Sequence, residues 1–419
     1  MLTAFLATPT IVGLVGLWSG AMLLPCGTLE IRIYLTILAL AVFVAYFIGT
    51  IFSKAATVIG GTSSEHSDQS SPNSIILVLS LICVILFIVR LGYFIKSGGA
   101  ALYTSSDALG EARLQLLEEA GVSGPIGRVY TLFSWAQFVL PVGVVLYWNQ
   151  LTKPMKLLAA FSSLLWPLLA VLSLGRLNVF IVAYIFLVFP LNSGSVSVFR
   201  MRPIITRLSI VAFLVVGLFV AGAIREFSGD TRQDRIAIKQ NAYEKFDSNL
   251  VAIIHFIPLE AARLGAAQLL DYSLSPWYYG ATMLSKSRRV TPFTRSFYFL
   301  SWPAVALGQY PEIAVRREAE FRIRESRGVP LTTWTTSIYD YVADFGMIFG
   351  SVFQIMIGFL AGVFSNRTDS GLFRSSFSCC LELAVFSLPT FSIFIITPIE
   401  ATIYISIIYI ITRICRRNH

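Results

Sequence analysis

Charged side chains are scarce in this chain and make up only 13% of its 419 residues, whereas soluble domains carry roughly 25%. That scarcity excludes an ordinary soluble enzyme. Hydrophobic residues account for 56% of the chain, and its mean hydropathy is +0.73. Apolar runs of about 20 residues recur, and such a run crosses a bilayer as a helix because lipid offers no partners to an open backbone. The composition therefore predicts an all-α polytopic membrane protein.

Motifs of nucleotide-dependent and metal-dependent enzymes are also missing. The chain has no glycine-rich phosphate loop, no His-Glu-x-x-His, no paired Cys-x-x-Cys and no Asp-x-Asp. Its histidines, His66, His255 and His419, are too scattered in the sequence to form a metal site. We therefore expect no metal and no other cofactor.

Two further features of the composition leave this class unchanged. The isoelectric point is near 9.4, but the basic residues lie between apolar runs, so we expect no nucleic-acid partner. The cysteines lie in or beside apolar runs without metal or redox spacing, and we expect them to act as small hydrophobic side chains. They are Cys26, Cys83, Cys379, Cys380 and Cys415.

Hydropathy predicts about ten spans in one membrane domain that covers residues 1–419. Two long loops interrupt the series, at residues 96–128 and 225–336. The second loop follows the seventh span and is expected to hold amphipathic or short helices. The first span is expected to be a retained helix and not a cleaved signal. The predicted spans are 4–24, 31–52, 74–95, 129–148, 157–174, 177–191, 206–224, 337–363, 375–391 and 394–412.

Positive charge alternates strongly between the short loops. Lys and Arg are retained in the cytoplasm during insertion, so the basic side should be cytoplasmic. Both termini are then cytoplasmic and both long loops are extracytoplasmic. The short loops of the opposite side hold only Arg32 and Arg176. The basic set comprises Lys54, Lys153, Lys156, Arg200, Arg202, Arg207, Arg367, Arg374, Arg413, Arg416 and Arg417.

The large loop contains half-apolar stretches and many aromatic residues. The stretches 249–270 and 296–309 are too interrupted for confident spans, and we expect them to lie on or dip into the membrane surface. The aromatic residues favour an interfacial belt over a sugar-stacking surface. They include Tyr272, Trp277, Tyr278, Tyr279, Phe297, Tyr298, Phe299, Trp302 and Trp334.

Arginines mark the extracytoplasmic membrane surface. Arg176 opens one span and Arg225 closes another. A guanidinium is permanently charged and its fork of donors matches phosphate oxygens, so converging arginines would bind a lipid diphosphate. The alternative is that single arginines snorkel to anionic headgroups. Supporting candidates in the loop are Arg263, Arg288 and Arg289.

Carboxylates occur where the large loop returns to the membrane. Asp340 and Asp344 are four residues apart, which places both on one helical face at the head of a span, where acids are costly and often functional. Gly346 and Gly350 are expected to let another helix approach closely. Glu226 and Glu260 are further candidates for a general base. Glu260 and Arg263 could instead form a surface ion pair.

Several segments together resemble the bacterial oligosaccharide repeat-unit polymerases, or O-antigen polymerases of the Wzy type. They are EARLQLLEEAGVSGPIGR, LSLGRLN, AIREF and the re-entry TTSIYDYVADFGMIFG. The family's Arg-x10-Gly spacing is matched by Arg113 with Gly124 and by Arg317 with Gly328. The resemblance implies that these two arginines, with Tyr339 and Asp340, bind the diphosphate or the glycan.

The resemblance also implies a reaction, that of a metal-independent, multi-span glycosyltransferase of the GT-C-like class. A hydroxyl of one lipid-linked repeat unit would attack the anomeric carbon of a glycan on undecaprenyl diphosphate, and the lipid diphosphate would leave. Asp344, Glu226 or Glu260 would take the proton, while Arg176 and Arg225 would stabilise the departing charge. Expected partners are undecaprenyl-diphosphate-linked oligosaccharide, membrane lipids, and a chain-length regulator and flippase of the pathway, in a bacterial inner membrane.

Rival functions remain open at this point. The related O-antigen ligases are expected to carry a histidine near the re-entry helix, where this chain has Thr335, Thr336 and Ser337. A flippase or transporter would be expected to show repeated halves and charges at mid-membrane. A structural or sensing membrane protein would not need so many outward arginines.

Overall fold

A computed structural model gives the fold, and its described residues are almost entirely helical. Among them there is no β-strand, although an isolated β-bridge joins Met22 to Phe246. The described residues are 2–24, 26–59, 72–96, 133–172, 177–189, 243–286, 322–324, 326, 329, 336–365, 371–386 and 397–417.

The helices are numbered in chain order. They are α1 (Leu2–Ser19), α2 (Leu29–Ile59), α3 (Pro72–Lys96), α4 (Ala136–Tyr147), α5 (Lys153–Leu172), α6 (Leu177–Leu187), α7 (Ser248–His255), α8 (Glu260–Lys286), α9 (Ser337–Ser365), α10 (Leu372–Phe386) and α11 (Thr397–Arg417), with a 3-10 turn at Trp148–Gln150.

Three of these helices are long and apolar enough to cross a membrane. They contain the segments Leu29–Lys54, Pro72–Gly92 and Ser337–Ser365. Shorter apolar segments occur at Thr10–Ser19 and Pro398–Ile411. The apolar helices confirm the coarse prediction of an all-helical chain suited to a membrane. The predicted span 206–224 lies outside the described residues.

The chain divides into two compact units. In the second unit, residues 52–211, 364–380 and 396–419, α3 packs against α4 and α5, and α4 also contacts α6. Gly143 of α4 lies 2.8 Å, measured from a Cβ built on it, from the Cδ1 atom of Ile76. This unit is an apolar helix bundle.

The first unit comprises residues 1–51, 212–363 and 381–395. In it α8 packs on α1. Trp277 lies against Gly13 and Leu274 lies against Gly16, which shows that the two helices run antiparallel. The Tyr278 hydroxyl donates to the carbonyl oxygen of Gly16 at 2.6 Å. Glycines on α1 thus leave room for the large side chains of α8.

The same unit contains a parallel crossing of α2 and the second part of α9. Tyr34 is hydrogen-bonded to Ser351 at 2.7 Å. A Cβ on Gly358 would lie 2.5 Å from the carbonyl oxygen of Val42, and one on Gly362 would overlap that of Tyr46. Parallel helices that both cross a membrane must be separated by an odd number of crossings. The spans predicted between them meet this requirement.

Helix α9 is broken at Gly346, where φ is 78° and ψ is 170°. The residues before the break fold back on those after it. The Gln354 side chain donates to the carbonyl oxygen of Ile338 at 3.5 Å, and the ring centroids of Tyr341 and Phe353 are 5.4 Å apart. Residues 337–345, called the half-helix below, therefore run antiparallel to residues 347–365.

This break changes the expected role of one glycine. The sequence predicts that Gly346 and Gly350 admit another helix, and the structure gives that role to Gly350 but not to Gly346. Gly346 adopts a backbone conformation that is essentially restricted to glycine. A Cβ on Gly350 would lie 2.8 Å from the carbonyl oxygen of Tyr341, so the neighbour that Gly350 admits is the half-helix of the same chain.

Candidate functional site

Asp340 and Asp344 are both buried, with 1% of each residue exposed. Their spacing of four residues on the half-helix places them on one stripe, as the sequence predicts. Tyr341 and Phe345 lie one position further along and face Phe353. Buried carboxylates are costly unless compensated by hydrogen bonds or charge, which makes this pair a functional candidate.

The start of the half-helix is held in two ways. Thr336 caps it, because its Oγ1 accepts a hydrogen bond from the backbone N–H of Tyr339 at 3.2 Å. The backbone N–H of Thr336 donates to the carbonyl oxygen of Pro276 in α8 at 3.2 Å. Its side chain also lies against Gly280, 2.8 Å from a Cβ built there. The acid pair therefore continues a stripe that begins at the contact with α8.

Helix α8 carries a polar stripe of its own, made of Asp271, Ser275 and Tyr279. Asp271 forms an ion pair with Lys245 at 3.2 Å, and both side chains are about one-third exposed. Ser275 donates to the Asp271 carboxylate. Tyr279 is buried. The stripe thus passes from a half-exposed ion pair to a buried phenol beside Gly280.

Arg324 is buried in the same unit, with 3% of the residue exposed. Burial is the main cause that raises the pKa of the Tyr279 phenol; the negative charge of Asp271 also raises this pKa, and the positive charge of Arg324 lowers it. The backbone around Arg324 is closed by a hydrogen bond from the N–H of Val329 to the Arg324 carbonyl oxygen at 3.0 Å. By contrast, Arg322 is exposed. A buried guanidinium near the α8 stripe supplies the positive charge that an anionic ligand needs.

The aromatic residues of α8 differ from the expected belt. Trp277, Tyr278 and Tyr279 are buried inside the protein, where Trp277 meets α1 and Tyr278 bonds to its backbone. An interfacial belt requires rings that reach the headgroups. For these three residues the belt interpretation is wrong, because α8 has glycines of α1 to pack against.

Arg263 and Glu260 lie together at the start of α8, away from the acid pair in sequence. The Arg263 guanidinium bonds to Nδ1 of His255 at 3.2 Å and donates to the carbonyl oxygen of Pro258 at 3.3 Å. These contacts hold the corner between α7 and α8. The expected role of Arg263 in binding the diphosphate stays a prediction.

The predicted site residues not yet placed either lie on the half-helix or lie outside the described residues. Tyr339, Asp340 and Asp344 share the half-helix, and Tyr339 is buried with them. Among the described residues no cluster of His, Cys, Asp or Glu is suited to hold a metal ion. Outside the described residues lie Arg113, Arg176, Arg225, Glu226, Arg288, Arg289 and Arg317.

Sequence reasoning did not single out Lys245, Asp271, Ser275 or the burial of Arg324. One signal was available: Asp271, Ser275 and Tyr279 recur every four residues, which places them on one face of the helix. Arg324 had no distinguishing local pattern, since it is one of many arginines in its loop. No family model, no curated protein and no solved structure matches this chain.

Proposed function

We propose that this chain is a membrane-embedded glycosyltransferase that joins lipid-diphosphate-linked oligosaccharide repeat units into a polymer on the extracytoplasmic side of a bacterial inner membrane. The observation that carries the proposal is the buried pair Asp340 and Asp344 on the capped half-helix. The same segment, TTSIYDYVADFGMIFG, is the one that most resembles the oligosaccharide polymerases.

The proposed reaction needs a base and a fixed positive charge. The acceptor hydroxyl oxygen bonds to the anomeric carbon of the donor while the bond from that carbon to the lipid diphosphate breaks. Asp344, or Asp340 one turn earlier, takes the hydroxyl proton. Charge builds on the leaving diphosphate, so a preorganised guanidinium stabilises the transition state more than the bound substrate.

Arg324 is the described arginine best suited to that charge. It is buried in the unit that holds both stripes, and a guanidinium shielded from water interacts more strongly with phosphate than an exposed one. Arg176 and Arg225 stay predictions for the same role.

The test is a comparison of surface glycans from cells that carry Asp340→Asn, Asp344→Asn or Arg324→Ala. Loss of a catalytic base costs about 100-fold to 10,000-fold in rate. We therefore expect the yield of long glycan chains to fall at least about 100-fold in the aspartate variant that removes the base. The amount of protein in the membrane should stay normal. Matched controls are Glu244→Gln and Arg322→Ala, because both residues are exposed. These should make full-length polymer.

The banding pattern of the surface glycans on a gel also distinguishes the rival functions. Single repeat units on the lipid acceptor indicate a polymerase defect, accumulated polymer without transfer a ligase defect, and repeat units retained inside a flippase defect. Full-length polymer from both aspartate variants would show that the acids of the half-helix take no part in the reaction.

A further inference from the structure

The ends of three helices in the second unit lie together. The backbone N–H of Thr152, which precedes α5, donates to the Oδ1 atom of Asn73 in the first turn of α3 at 3.2 Å. The 3-10 turn at Trp148–Gln150 joins the end of α4 to the same place. Because α3 and α5 begin together and pack against each other, both helices run away from this end of the unit. Residues 148–156 and the first turn of α3 are called the lysine face below.

The lysine face lies at a boundary of the bilayer. The segment Pro72–Gly92 of α3 is apolar and has 21 residues, and about 20 residues suffice to cross the hydrocarbon core as a helix. The ends of this segment therefore lie at the two boundaries of the core. Since the first turn of α3 belongs to the lysine face, the face is level with lipid headgroups.

Exposed apolar stripes run from the lysine face along α5 and α3. Lys153 is exposed, and Leu157, four residues later on the same side of α5, is 75% exposed. Spacings of three and four residues keep each stripe on one side of its helix. The stripe of α5 comprises Leu157, Phe161, Leu164 and Leu168, and that of α3 comprises Val78, Leu81, Ile85 and Ile88. Both surfaces suit the acyl chains of a lipid whose headgroup lies at the face.

Lys156 is held next to an aromatic ring. Its Nζ atom lies 5.5 Å from the centroid of the Trp148 ring, within the range of a cation–π contact. Both residues are half-buried. A lysine and a tryptophan at the end of an apolar helix are typical of the headgroup region, where the ring lies against lipid and the ammonium reaches the phosphates. The contact with Trp148 thus holds a positive charge at headgroup level.

Negative charge is scarce around the two lysines. Residues 148–156 contain no acid, and Glu400, which is buried, is the only acid among the described residues of the second unit. Glu65 and Asp68, in the connection that precedes α3, lie outside the described residues. The first unit, by contrast, holds the acid pair and Asp271. The charge of the lysine face therefore favours an anionic partner.

We propose that the lysine face binds anionic phospholipids of the adjacent leaflet. Lys153 and Lys156 bind the phosphate, and the stripes of α5 and α3 contact the acyl chains. The partner is a lipid and not a soluble anion, because the cations stand at the head of exposed apolar surfaces. A lysine near an anionic lipid surface strengthens binding about fivefold, so we expect the two lysines together to contribute about 25-fold. The site belongs to the second unit and does not rest on the proposed function.

The test is a thermal titration of the purified full-length protein in detergent. Tm is measured against the concentration of phosphatidylglycerol, or of phosphatidylcholine with the same acyl chains. We expect phosphatidylglycerol to raise Tm at a lower concentration than phosphatidylcholine. The double variant Lys153→Gln with Lys156→Gln should need about 25-fold more phosphatidylglycerol for half of the rise. Its response to phosphatidylcholine and its Tm without lipid should stay close to those of the unchanged protein.

Two control variants separate charge from packing and should respond like the unchanged protein. Lys153→Arg with Lys156→Arg keeps both charges, and Arg322→Gln removes an exposed charge of the first unit. The proposal is overturned if the two lipids act at equal concentrations, if the glutamine variant responds normally, or if either control loses the response. Inorganic phosphate at the same concentrations should leave Tm unchanged. An equal rise with inorganic phosphate would assign the face to a free anion and overturn the lipid as its partner.

Discussion

Two helix contacts in the first unit depend on close backbone approach, and they bury different chemistry. The crossing of α2 and residues 347–365 brings Gly49, Gly358 and Gly362 against the opposite backbone. Small and apolar residues line it, together with a neutral hydrogen bond between Tyr34 and Ser351. The contact of α8 with the half-helix is made by Pro276, Gly280 and Thr336, and buried carboxylates follow it along the chain.

The difference separates assembly from chemistry. Small residues at a helix crossing in lipid gain van der Waals contact without desolvating any charge. Burial of a carboxylate has an unfavourable free energy that must be offset by partners. A fold that only needed to hold its helices together would repeat the kind of contact seen between α2 and residues 347–365. We therefore expect the function at the contact of α8 with the half-helix.

The largest effect is expected where the glycine crossing is broken. In Gly362→Leu the new side chain would overlap the Tyr46 carbonyl and press on the N–H of Thr50, 2.8 Å from a Cβ built on Gly362. Overpacking of this kind costs on the order of 3 kcal/mol. We expect most of the protein to aggregate on detergent extraction, measured by size-exclusion chromatography. Gly92→Leu is the control, because its Cβ would meet nothing within 4 Å. Equal recovery of both variants would contradict the crossing.

An intermediate effect is expected at the hairpin. Gly346→Ala forces a side chain into a conformation with φ of 78° and ψ of 170°, which costs about 1–3 kcal/mol. We expect Tm to fall by several degrees and polymer formation to fall further, since the half-helix loses its register. Gly20→Ala is matched to it, because Gly20 also has positive φ (69°) and no neighbour near its Cβ. If Gly20→Ala impaired polymer formation equally, the hairpin would have no special role.

The smallest effect is expected at the outer end of the α8 stripe. Lys245 and Asp271 are each about one-third exposed, and such ion pairs contribute roughly 0.2–1 kcal/mol. Lys245→Met should therefore lower Tm by only a degree or two, and added salt should reduce the difference. A double-mutant cycle with Asp271→Asn measures the coupling. A coupling energy well above about 1 kcal/mol would show that the pair is better shielded than its exposure indicates.

The sequence predicted those features of the fold that depend only on residues close together in the chain. The uninterrupted apolar runs predicted α2 and α3, because length and hydropathy suffice to define a spanning helix. The spacing of Asp340 and Asp344 predicted that both lie on one helical face. Thr336 could also be recognised as a residue type suited to begin a helix.

Other features had no local signal. Glycine is common in membrane helices, so the run from Ser337 to Ser365 looks like one span even though Gly346 breaks it. The aromatic residues of α8 look like an interfacial belt, since their burial depends on Gly13 and Gly16. Those partners lie more than 200 residues away in the chain.

Hydropathy and helical spacing are short-range properties, so the order of residues alone predicts a helical membrane chain with two acids on one helical face. Long-range packing buries those acids on a folded-back half-helix that is capped by Thr336 and bonded to Pro276. Register between distant helices depends on which backbones can approach each other. That is settled by the fit of glycines to the residues opposite them, and not by either segment alone.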